Sequence, residues 1–335
     1  MSAGAFAPQP IWVVERTCHS FHTIEANNGL IAIGVLPELG AKIVSLRDLR
    51  SGREWLWTSD RLPLARHPYG VSYIENADSG GWDECFPTVA ACEYPIGPYR
   101  GTPLPDHGDL WTQTWSSKVE RGADRVEIVT SCLAVAVPCA FSRTSILRAG
   151  AAQLDMRYEV HNHGSDQVAF IWSAHPLLRI EPGMALEFPT SARFSVYSAT
   201  ARTNLPQRHG LHWPMPVRRD GHDIRIDPLP GPDADVAFKI WSEPLAEGWT
   251  RLIANDGALC MRFDVGEIPQ VALWLNAGGW SGIGGKPYYN IALEPCMGAQ
   301  DSLAEAVTLH RQFAILQAAE TRRWTLAVDL ETRRA

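Results

Sequence analysis

The chain has 335 residues, of which 45% are hydrophobic, and its formal net charge is -7. This length suits one large β domain or two ordinary domains, and the hydrophobic fraction supports a sizeable core. The acidic balance, without a long basic run, argues against nucleic acid and anionic membranes as partners. No apolar stretch approaches the roughly 20 residues that span a bilayer. The N-terminus lacks the pattern of a signal peptide, so we expect a cytoplasmic protein.

Short β-type runs separated by turn signals extend along the chain. The runs cover residues 30–35, 41–46, 125–131, 152–160, 167–172, 271–275, 289–293 and 324–329. Asn28-Gly29, His163-Gly164 and Asp256-Gly257 are pairs that suit tight turns between strands. One helix is predicted over 302–318, where apolar residues recur near the helical period and Asp301 or Ser302 can cap the start.

This order of elements predicts an all-β fold, because it contains no alternating βαβ pattern and no phosphate-binding glycine motif. We expect a large antiparallel β-sandwich with few short helices. The Pro- and Gly-rich stretch 228–232 is interpreted as a loop, so residues 1–335 are predicted to form one domain. The seven cysteines lack metal-type spacing and are expected to be reduced core residues, with Cys85 lying in an unusual loop.

Two segments carry candidate catalytic residues at the predicted ends of strands. In WSAHP (172–176), His175 follows a β-type run and precedes a proline; taken alone, this pattern favours a histidine that simply bonds a neighbouring carbonyl. In ALEPC (292–296), Glu294 follows another such run and precedes a proline. A carboxylate in this apolar context is costly unless it is paired or functional, so a buried salt bridge remains the alternative.

Two loop-like segments combine glycine, acidic residues and tryptophan. DHGDLW (106–111) places His107 before Gly108, where a backbone can approach a ligand closely, although a simple turn remains possible. SGGWDECFPT (79–88) holds Asp83 next to Glu84, and adjacent residues of an extended segment point to opposite sides. The two acids are therefore not expected to act as a catalytic pair. Its tryptophan could instead belong to the core.

Two histidines and one glutamate that converge would suit proton transfer near neutral pH. His107, His175 and Glu294 are far apart in sequence, so a metal site made from them has no local motif to support it. The sequence also contains no serine nucleophile elbow and no HExxH zinc motif.

The order of these motifs resembles the aldose 1-epimerase (galactose mutarotase-like) family. The segment 36–46 followed by GREWLW (52–57) resembles the family's opening strands, and ETRRWTL (320–326) resembles its closing strand. The HG of DHGDLW resembles the first catalytic histidine, WSAHP the second, and ALEPC the segment with the catalytic glutamate. Ala318-Ala319 stands where the family often has Pro-Gly.

The resemblance implies a β-sandwich enzyme that interconverts the α and β anomers of a free sugar without cofactor or metal. Glu294 would take the proton of the anomeric hydroxyl, His175 would protonate the ring oxygen, and His107 would hold the same region. A small-molecule sugar is then the expected partner of a monomer or homodimer. The residues expected to bind substrate are Trp82, Asp83, Glu84, Trp111, Asn76 and Asp235.

Two other functions remain open at this point. A non-catalytic carbohydrate-binding or regulatory protein on the same fold is possible, because the family's substrate-binding arginine has no counterpart that we can place. A lyase or hydrolase on a related sandwich is suggested only by the acidic loops. The same acids, close to the expected site, disfavour an anionic substrate.

Overall fold

The computed structural model describes residues 11–18, 20–206, 209–282 and 285–332. Strands dominate it, and two short helical segments are α1 (Tyr73–Asn76) and α2 (Leu303–Glu305), the second continued by a π-helical turn at Ala306–His310. The first strands are β1 (Trp12–Cys18), β2 (Phe21–Asn27), β3 (Ile31–Leu36), β4 (Lys42–Asp48), β5 (Trp82–Cys85), β6 (Cys92–Glu93), β7 (Pro103–Leu104), β8 (Ser116–Arg121), β9 (Arg125–Leu133), β10 (Cys139–Arg148), β11 (Gln153–Asn162), β12 (Val168–Phe170) and β13 (Trp172–Arg179). The others are β14 (Ala185–Glu187), β15 (Phe194–Ala199), β16 (Thr203–Asn204), β17 (Val217–Arg219), β18 (His222–Ile224), β19 (Val236–Ser242), β20 (Trp249–Ile253), β21 (Gly257–Phe263), β22 (Gln270–Ala277), β23 (Tyr289–Met297), β24 (Ala314–Leu316) and β25 (Thr321–Thr332).

Two large antiparallel sheets form the sandwich. One has ten strands in the order β1-β2-β3-β4-β5-β13-β23-β22-β19-β15, and the other has eight in the order β14-β20-β21-β25-β11-β10-β9-β8. Aromatic side chains from both sheets meet between them: Tyr158 of β11 and Trp324 of β25 contact Trp172 of β13. This confirms the predicted all-β sandwich with few short helices. No helix in the described ranges is long and apolar enough to cross a membrane.

The two faces of the ten-stranded sheet have different roles. Trp82 and Glu84 of β5 point into the core between the sheets, where each is at most 1% exposed. Asp83 points to the opposite face, as does His175, its partner residue on β13. The expectation that adjacent acids diverge is therefore confirmed, and the face that bears Asp83 is the one on which a cavity opens.

The predicted strands are present and most are longer than expected, and the run 167–172 is divided between β12 and the start of β13. Pro176 and Pro295 were each expected to end a strand; instead β13 continues to Arg179 and β23 to Met297. Between these strands, residue pairs flank a gap: Ser173 is opposite Cys296, and Leu177 is opposite Ala292. The gap contains both prolines, which have no N–H to donate, so the two strands run on while the ladder between them is interrupted.

The predicted helix over 302–318 is wrong for most of its length. Ser302 does cap a helix, because its side chain accepts a hydrogen bond from the Glu305 backbone N–H at 3.4 Å. The helical turns end at His310, and residues 314–316 form β24, which pairs with β12. The second half of the predicted helix is so apolar that its spacing is compatible with a helix and with a buried strand alike.

Candidate functional site

A cavity of about 640 Å³ lies on the ten-stranded sheet, on the face away from the core. Its floor comes from β13, β19, β22 and β23, and its walls come from α1, from β15 and from the loops that follow β5, β7 and β22. The lining side chains used below are Tyr73, Asp78, Asp106, His107, His175, Tyr197, Lys239, Trp274, Trp280, Glu294 and Asp301. The cavity thus combines aromatic walls with titratable groups, as sugar sites commonly do.

His175 and Glu294 come from neighbouring central strands. The pairs on either side of the gap place His175 of β13 across from Glu294 of β23, so both side chains rise from the sheet at the same level. The Glu294 side chain is fully buried, and its Oε1 has no hydrogen-bond partner among the described residues. The second oxygen, Oε2, lies 2.9 Å from Lys239 Nζ and accepts from Ser173 Oγ at 3.3 Å.

His107 reaches the same cavity from a loop. Its ring stacks on the Tyr73 ring at 3.9 Å between centroids and meets the His175 ring edge-on at 4.6 Å. The loop is held against β5: a Cβ on Gly108 would lie 2.2 Å from the Phe86 carbonyl oxygen, so only glycine fits there. The close approach that Gly108 permits is thus to the Phe86 backbone, and this contact sets the position of His107.

Asp106, in the same loop, fixes the wall above the histidines. Its carboxylate accepts from the backbone N–H groups of Tyr73 at 2.7 Å and Ile74 at 3.2 Å, the first residues of α1. This is a helix cap supplied from a distant loop. The DHGDLW segment therefore holds both a candidate catalytic residue and the anchor for the aromatic ring against which that residue stacks.

Lys239 joins two carboxylates beneath the cavity. Its Nζ lies 2.9 Å from Glu294 Oε2 and 2.8 Å from Asp301 Oδ1, and all three side chains are largely buried. Burial opposes the charge of Lys239, but the Coulombic attraction of Asp301 and Glu294 outweighs it and raises the lysine pKa. The lysine is thus held between the two carboxylates, and these contacts fix the direction in which Oε1 of Glu294 faces the cavity.

The two histidines are neutral at pH 7. Burial, with the positive charges of Lys239 and Lys42, lowers the pKa of His175 to about 3, against a partial opposing effect of Asp83. Burial and the neighbouring His175 hold the pKa of His107 well below its ordinary value. The sequence suggested a histidine that titrates near neutral pH; the fold instead presents neutral imidazoles, and the Nδ1 atom of each lacks a partner among the described groups.

This lowered pKa predicts how acid affects stability. Below pH 6.5 His175 binds a proton in the unfolded chain, whereas in the folded protein it stays neutral down to about pH 3. The free energy of unfolding therefore decreases as pH is lowered from 6.5 to about 3. We expect the group to cost roughly 2–3 kcal/mol by about pH 4.5. The stability difference between His175→Gln and wild type should therefore shrink as pH falls, or reverse in favour of the variant. Urea unfolding at about pH 7 and about pH 4.5 measures this difference.

The matched control for this prediction is His310→Gln, which removes an exposed imidazole. The stability difference between His310→Gln and wild type should stay the same as pH falls. If His175→Gln also stays parallel to wild type between about pH 7 and 4.5, His175 is not held neutral by the fold.

A second buried ion pair supports the site from behind. Asp83 pairs with Lys42, whose Nζ also donates to the Gly80 carbonyl at 2.8 Å, and Asp83 accepts from the Tyr73 hydroxyl at 2.9 Å. Asp83 does not line the cavity. It holds Tyr73, on which His107 stacks, and it lies opposite His175, so it positions the site without touching a ligand.

The other expected binding residues lie outside the cavity lining. Trp82 and Glu84 are wrong as substrate contacts, because both face the core between the sheets. Trp111 packs edge-on behind Tyr73 at 5.1 Å between ring centroids, with its Nε1 donating to the Asp106 carbonyl. These side chains are absent from the described lining. They support the site rather than form it, for the physical reason that large aromatic rings are best buried.

Asn76 and Asp235 are also misplaced as substrate ligands. Asn76 is the exposed last residue of α1 and is not among the described residues that line the cavity. Asp235 forms ion pairs with Arg202 and Arg219 on a surface loop. Asn76 is thus exposed to solvent, and Asp235 already has two arginine partners. Nothing in the local sequence of either residue indicated these surroundings.

Most residues of the cavity were missed from the sequence, among them Tyr73, Asp78, Lys239 and Asp301. Lys239 was the most detectable of them. It is a lysine inside the apolar run VAFKIWS, and a charge at an inward position of a strand needs a buried partner. Asp301 was considered only as a helix cap, a role that Ser302 performs.

Cys85 does not have the properties of a nucleophile. It is fully buried, and burial together with the negative charge of Glu294 raises the pKa of its thiol well above the ordinary value. Across the part of the chain that the structure describes, no group of three or more His, Cys, Asp or Glu side chains is arranged to hold a metal ion.

Comparison with known proteins gives the fold but no sequence relative. No family model and no curated protein matches the chain. A galactose mutarotase-like protein from Clostridium acetobutylicum aligns with a TM-score of 0.67 at 14% identity, over 96% of this chain and 99% of that one. A structure named "putative aldose 1-epimerase" from Klebsiella pneumoniae aligns with a TM-score of 0.66 at 16% identity, over 96% and 83%.

Part of a larger protein is also similar. A TPR-domain containing protein from Parabacteroides distasonis aligns with a TM-score of 0.62 at 13% identity, covering 94% of this chain and 48% of that one. The chain thus spans about half the length of that protein. At these identities the similarity is one of fold. The chain has a galactose mutarotase-like sandwich, which confirms the fold that the resemblance to the aldose 1-epimerase family implied.

Proposed function

We propose that the protein is an isomerase of the aldose 1-epimerase type, which interconverts the α and β anomers of a free sugar. One observation carries the proposal. His107, His175 and Glu294, from three separate segments, line one cavity. Each has a buried polar atom without a hydrogen-bond partner among the described residues: Nδ1 of both histidines and Oε1 of Glu294. Buried atoms of this kind are the ones that a ligand satisfies.

In this proposal Glu294 begins the reaction. Its Oε1 accepts the proton of the anomeric hydroxyl while the bond between the anomeric carbon and the ring oxygen breaks, leaving an aldehyde. The ring oxygen takes a proton from His175. Rotation about the bond next to the aldehyde exposes its other face. Ring closure then returns one proton to His175 and the other from Glu294 to the sugar, so both groups end as they began.

The neutral state of His175 determines how the ring oxygen is protonated. A neutral imidazole donates an N–H hydrogen bond to the ring oxygen, and this proton moves as negative charge builds there, leaving an imidazolate that takes the proton back when the ring closes. Lys42 and Lys239, whose charges lower the pKa of His175, stabilise the same developing negative charge. His107, held by its stack on Tyr73, offers a second hydrogen bond in the same region.

A sugar is the ligand class that suits the walls. Trp274 and Trp280 lie at 5.8 Å between ring centroids, edge to face, and both line the cavity. Flat apolar rings beside carboxylates match the apolar face and the hydroxyl rim of a pyranose. The proposed chemistry needs no cofactor, and we propose that residues 1–335 work as one domain.

A second candidate is a non-catalytic sugar-binding protein. The pKa of His175, lowered by burial to about 3, favours it, because almost no imidazolium is then present at neutral pH to protonate a ring oxygen. The two functions differ in a single measurement, since both predict sugar binding and only one predicts faster anomer exchange.

The test is magnetisation-transfer NMR on neutral, acidic and phosphorylated aldoses. We expect at least one neutral aldose to exchange anomers faster than its spontaneous and buffer-catalysed rates. Binding without any acceleration would replace the isomerase with the binding protein. Release of a reducing end or an unsaturated product from oligosaccharides would instead support a hydrolase or lyase.

A further inference from the structure

We propose that Asp78 is the specificity-determining residue of this cavity: its free carboxylate oxygen accepts a hydrogen from a hydroxyl or ammonium group of an aldose and disfavours aldoses that carry a carboxylate or phosphate. The inference rests on the proposed function for the identity of the ligand as a sugar. It adds a residue that the acid–base step does not use, and it orders the substrate classes.

Asp78 is built into the cavity wall and is incompletely satisfied. It is 6% exposed, it lines the cavity, and its Oδ1 has no hydrogen-bond partner among the described residues. The carboxylate receives one backbone hydrogen bond, from Gly80. Leaving a buried carboxylate oxygen unpaired is costly, so an occupant that donates a hydrogen to it gains affinity.

The surroundings of Asp78 do not neutralise it completely. Burial raises its pKa to about 6, the charges of Lys42 and Arg61 act in the opposite direction, and Asp83 adds to the rise. Lys42 is itself paired with Asp83. At pH 7 the group is therefore mostly an anion inside the wall.

The other charges of the described lining also disfavour an anionic sugar. Its acids are Asp78, Asp106, Glu294 and Asp301, whereas Lys239 is its one lysine or arginine. Lys239 is committed to Glu294 and Asp301. Asp106 is committed to the start of α1. An anionic sugar entering this cavity meets a net negative lining and no uncommitted cation within it, which penalises binding by repulsion and desolvation.

Other residues of the lining complete a surface suited to a neutral or amine-bearing sugar. Ile74 and Trp280 line the same cavity as Asp78, and the Ile74 carbonyl oxygen and the Trp280 indole both lie within 3.4 Å of a Cβ built on Gly282. An apolar side chain, an indole ring and an unpaired carboxylate in one wall bind the two kinds of surface that a pyranose presents. The carboxylate selects the polar group, because it can accept a hydrogen but cannot donate one at neutral pH.

The test compares equilibrium binding of glucose and galactose with that of their amino sugars, uronic acids and phosphates, by calorimetry. Wild type should bind the neutral and amino sugars at least about tenfold more tightly than the anionic ones, as one charge-assisted hydrogen bond provides. In Asp78→Asn this preference should fall to within about threefold, with the amino sugars losing the most affinity. Glu75→Gln is the matched control, because it removes one exposed acid of α1 outside the lining, and it should keep the wild-type preference.

Two results would overturn the assignment: equal binding of anionic and neutral sugars by wild type, or an unchanged preference in a folded Asp78→Asn. If that variant does not fold, the wild-type panel alone decides, since the proposal requires anionic sugars to be disfavoured. Failure of the proposed function looks different. Selectivity that depends on Asp78 without accelerated anomer exchange would remove the isomerase and retain the role of Asp78.

Discussion

Replacing Glu294 with glutamine is expected to lower the protein-catalysed rate of anomer exchange by about 10²–10⁴-fold. Oε1 of Glu294 is the unpaired carboxylate oxygen above the centre of the sheet, next to two histidines that are neutral. An amide of the same shape cannot accept the proton of the anomeric hydroxyl, yet it still offers an oxygen to Lys239 Nζ. Magnetisation-transfer NMR with the aldose that exchanges in wild type measures the loss.

Glu294→Gln separates catalysis from binding. We expect sugar affinity to change far less than the exchange rate, because the walls and Asp78 are untouched. Glu75→Gln, an exposed acid on α1, serves again as the matched control and should exchange at the wild-type rate. A folded Glu294→Gln protein with undiminished exchange would show that another group accepts the proton.

Arg143→Met is expected to have the largest effect on stability, a loss of roughly 3–5 kcal/mol, because it leaves a buried carboxylate without its cation. Arg143 is fully buried between the sheets, with Nη1 3.0 Å from Glu84 Oε1. The remaining partners of Glu84 are neutral: Tyr158 donates its hydroxyl at 3.1 Å and Trp172 its Nε1 at 3.0 Å. Urea unfolding at pH 7 measures the difference.

The dependence of this defect on pH has a definite sign. Burial raises the pKa of Glu84 to about 7 even though Arg143 opposes the rise. Without Arg143 the folded-state pKa rises further, so the variant loses stability as pH increases and regains some as pH falls. The defect should therefore be smaller at about pH 5 than at about pH 8.

The double variant Arg143→Met/Glu84→Gln is the control for the buried charge. It should recover much of the lost stability, because the uncompensated carboxylate is gone. A loss below about 1 kcal/mol in Arg143→Met, or a double variant as unstable as the single one, would mean that the pair does not hold the sheets together.

Local physical patterns predicted most of the strands and the faces on which His175 and Glu294 lie, whereas the resemblance predicted that they act together with His107. Alternation along β13 and β23 is a property of the backbone, so the shared faces of Ser173 with His175 and of Ala292 with Glu294 were readable. The order of motifs supplied His107. What local pattern could not supply was which face of β5 meets the second sheet, and Trp82 and Glu84 were assigned to the cavity for that reason.

The other failures have the same origin in tertiary contacts. Pro176 and Pro295 would end isolated strands, but here the two prolines occupy one gap in a ladder whose flanks are paired on both sides. Lys239 needed two acids from distant segments before its charge had an explanation. Likewise, the low pKa of His175 depends on burial and on Lys239, neither of which its own segment reveals.

The most direct test of the central claim is a crystal structure of Glu294→Gln with the aldose that exchanges in wild type. We expect the anomeric hydroxyl to lie within hydrogen-bond distance of residue 294. We also expect the ring oxygen to face His175 and the apolar face of the sugar to rest on Trp274 and Trp280. A sugar bound with its anomeric centre turned away from both residues, or bound outside this cavity, would contradict the assignment of His107, His175 and Glu294 as the acid–base site.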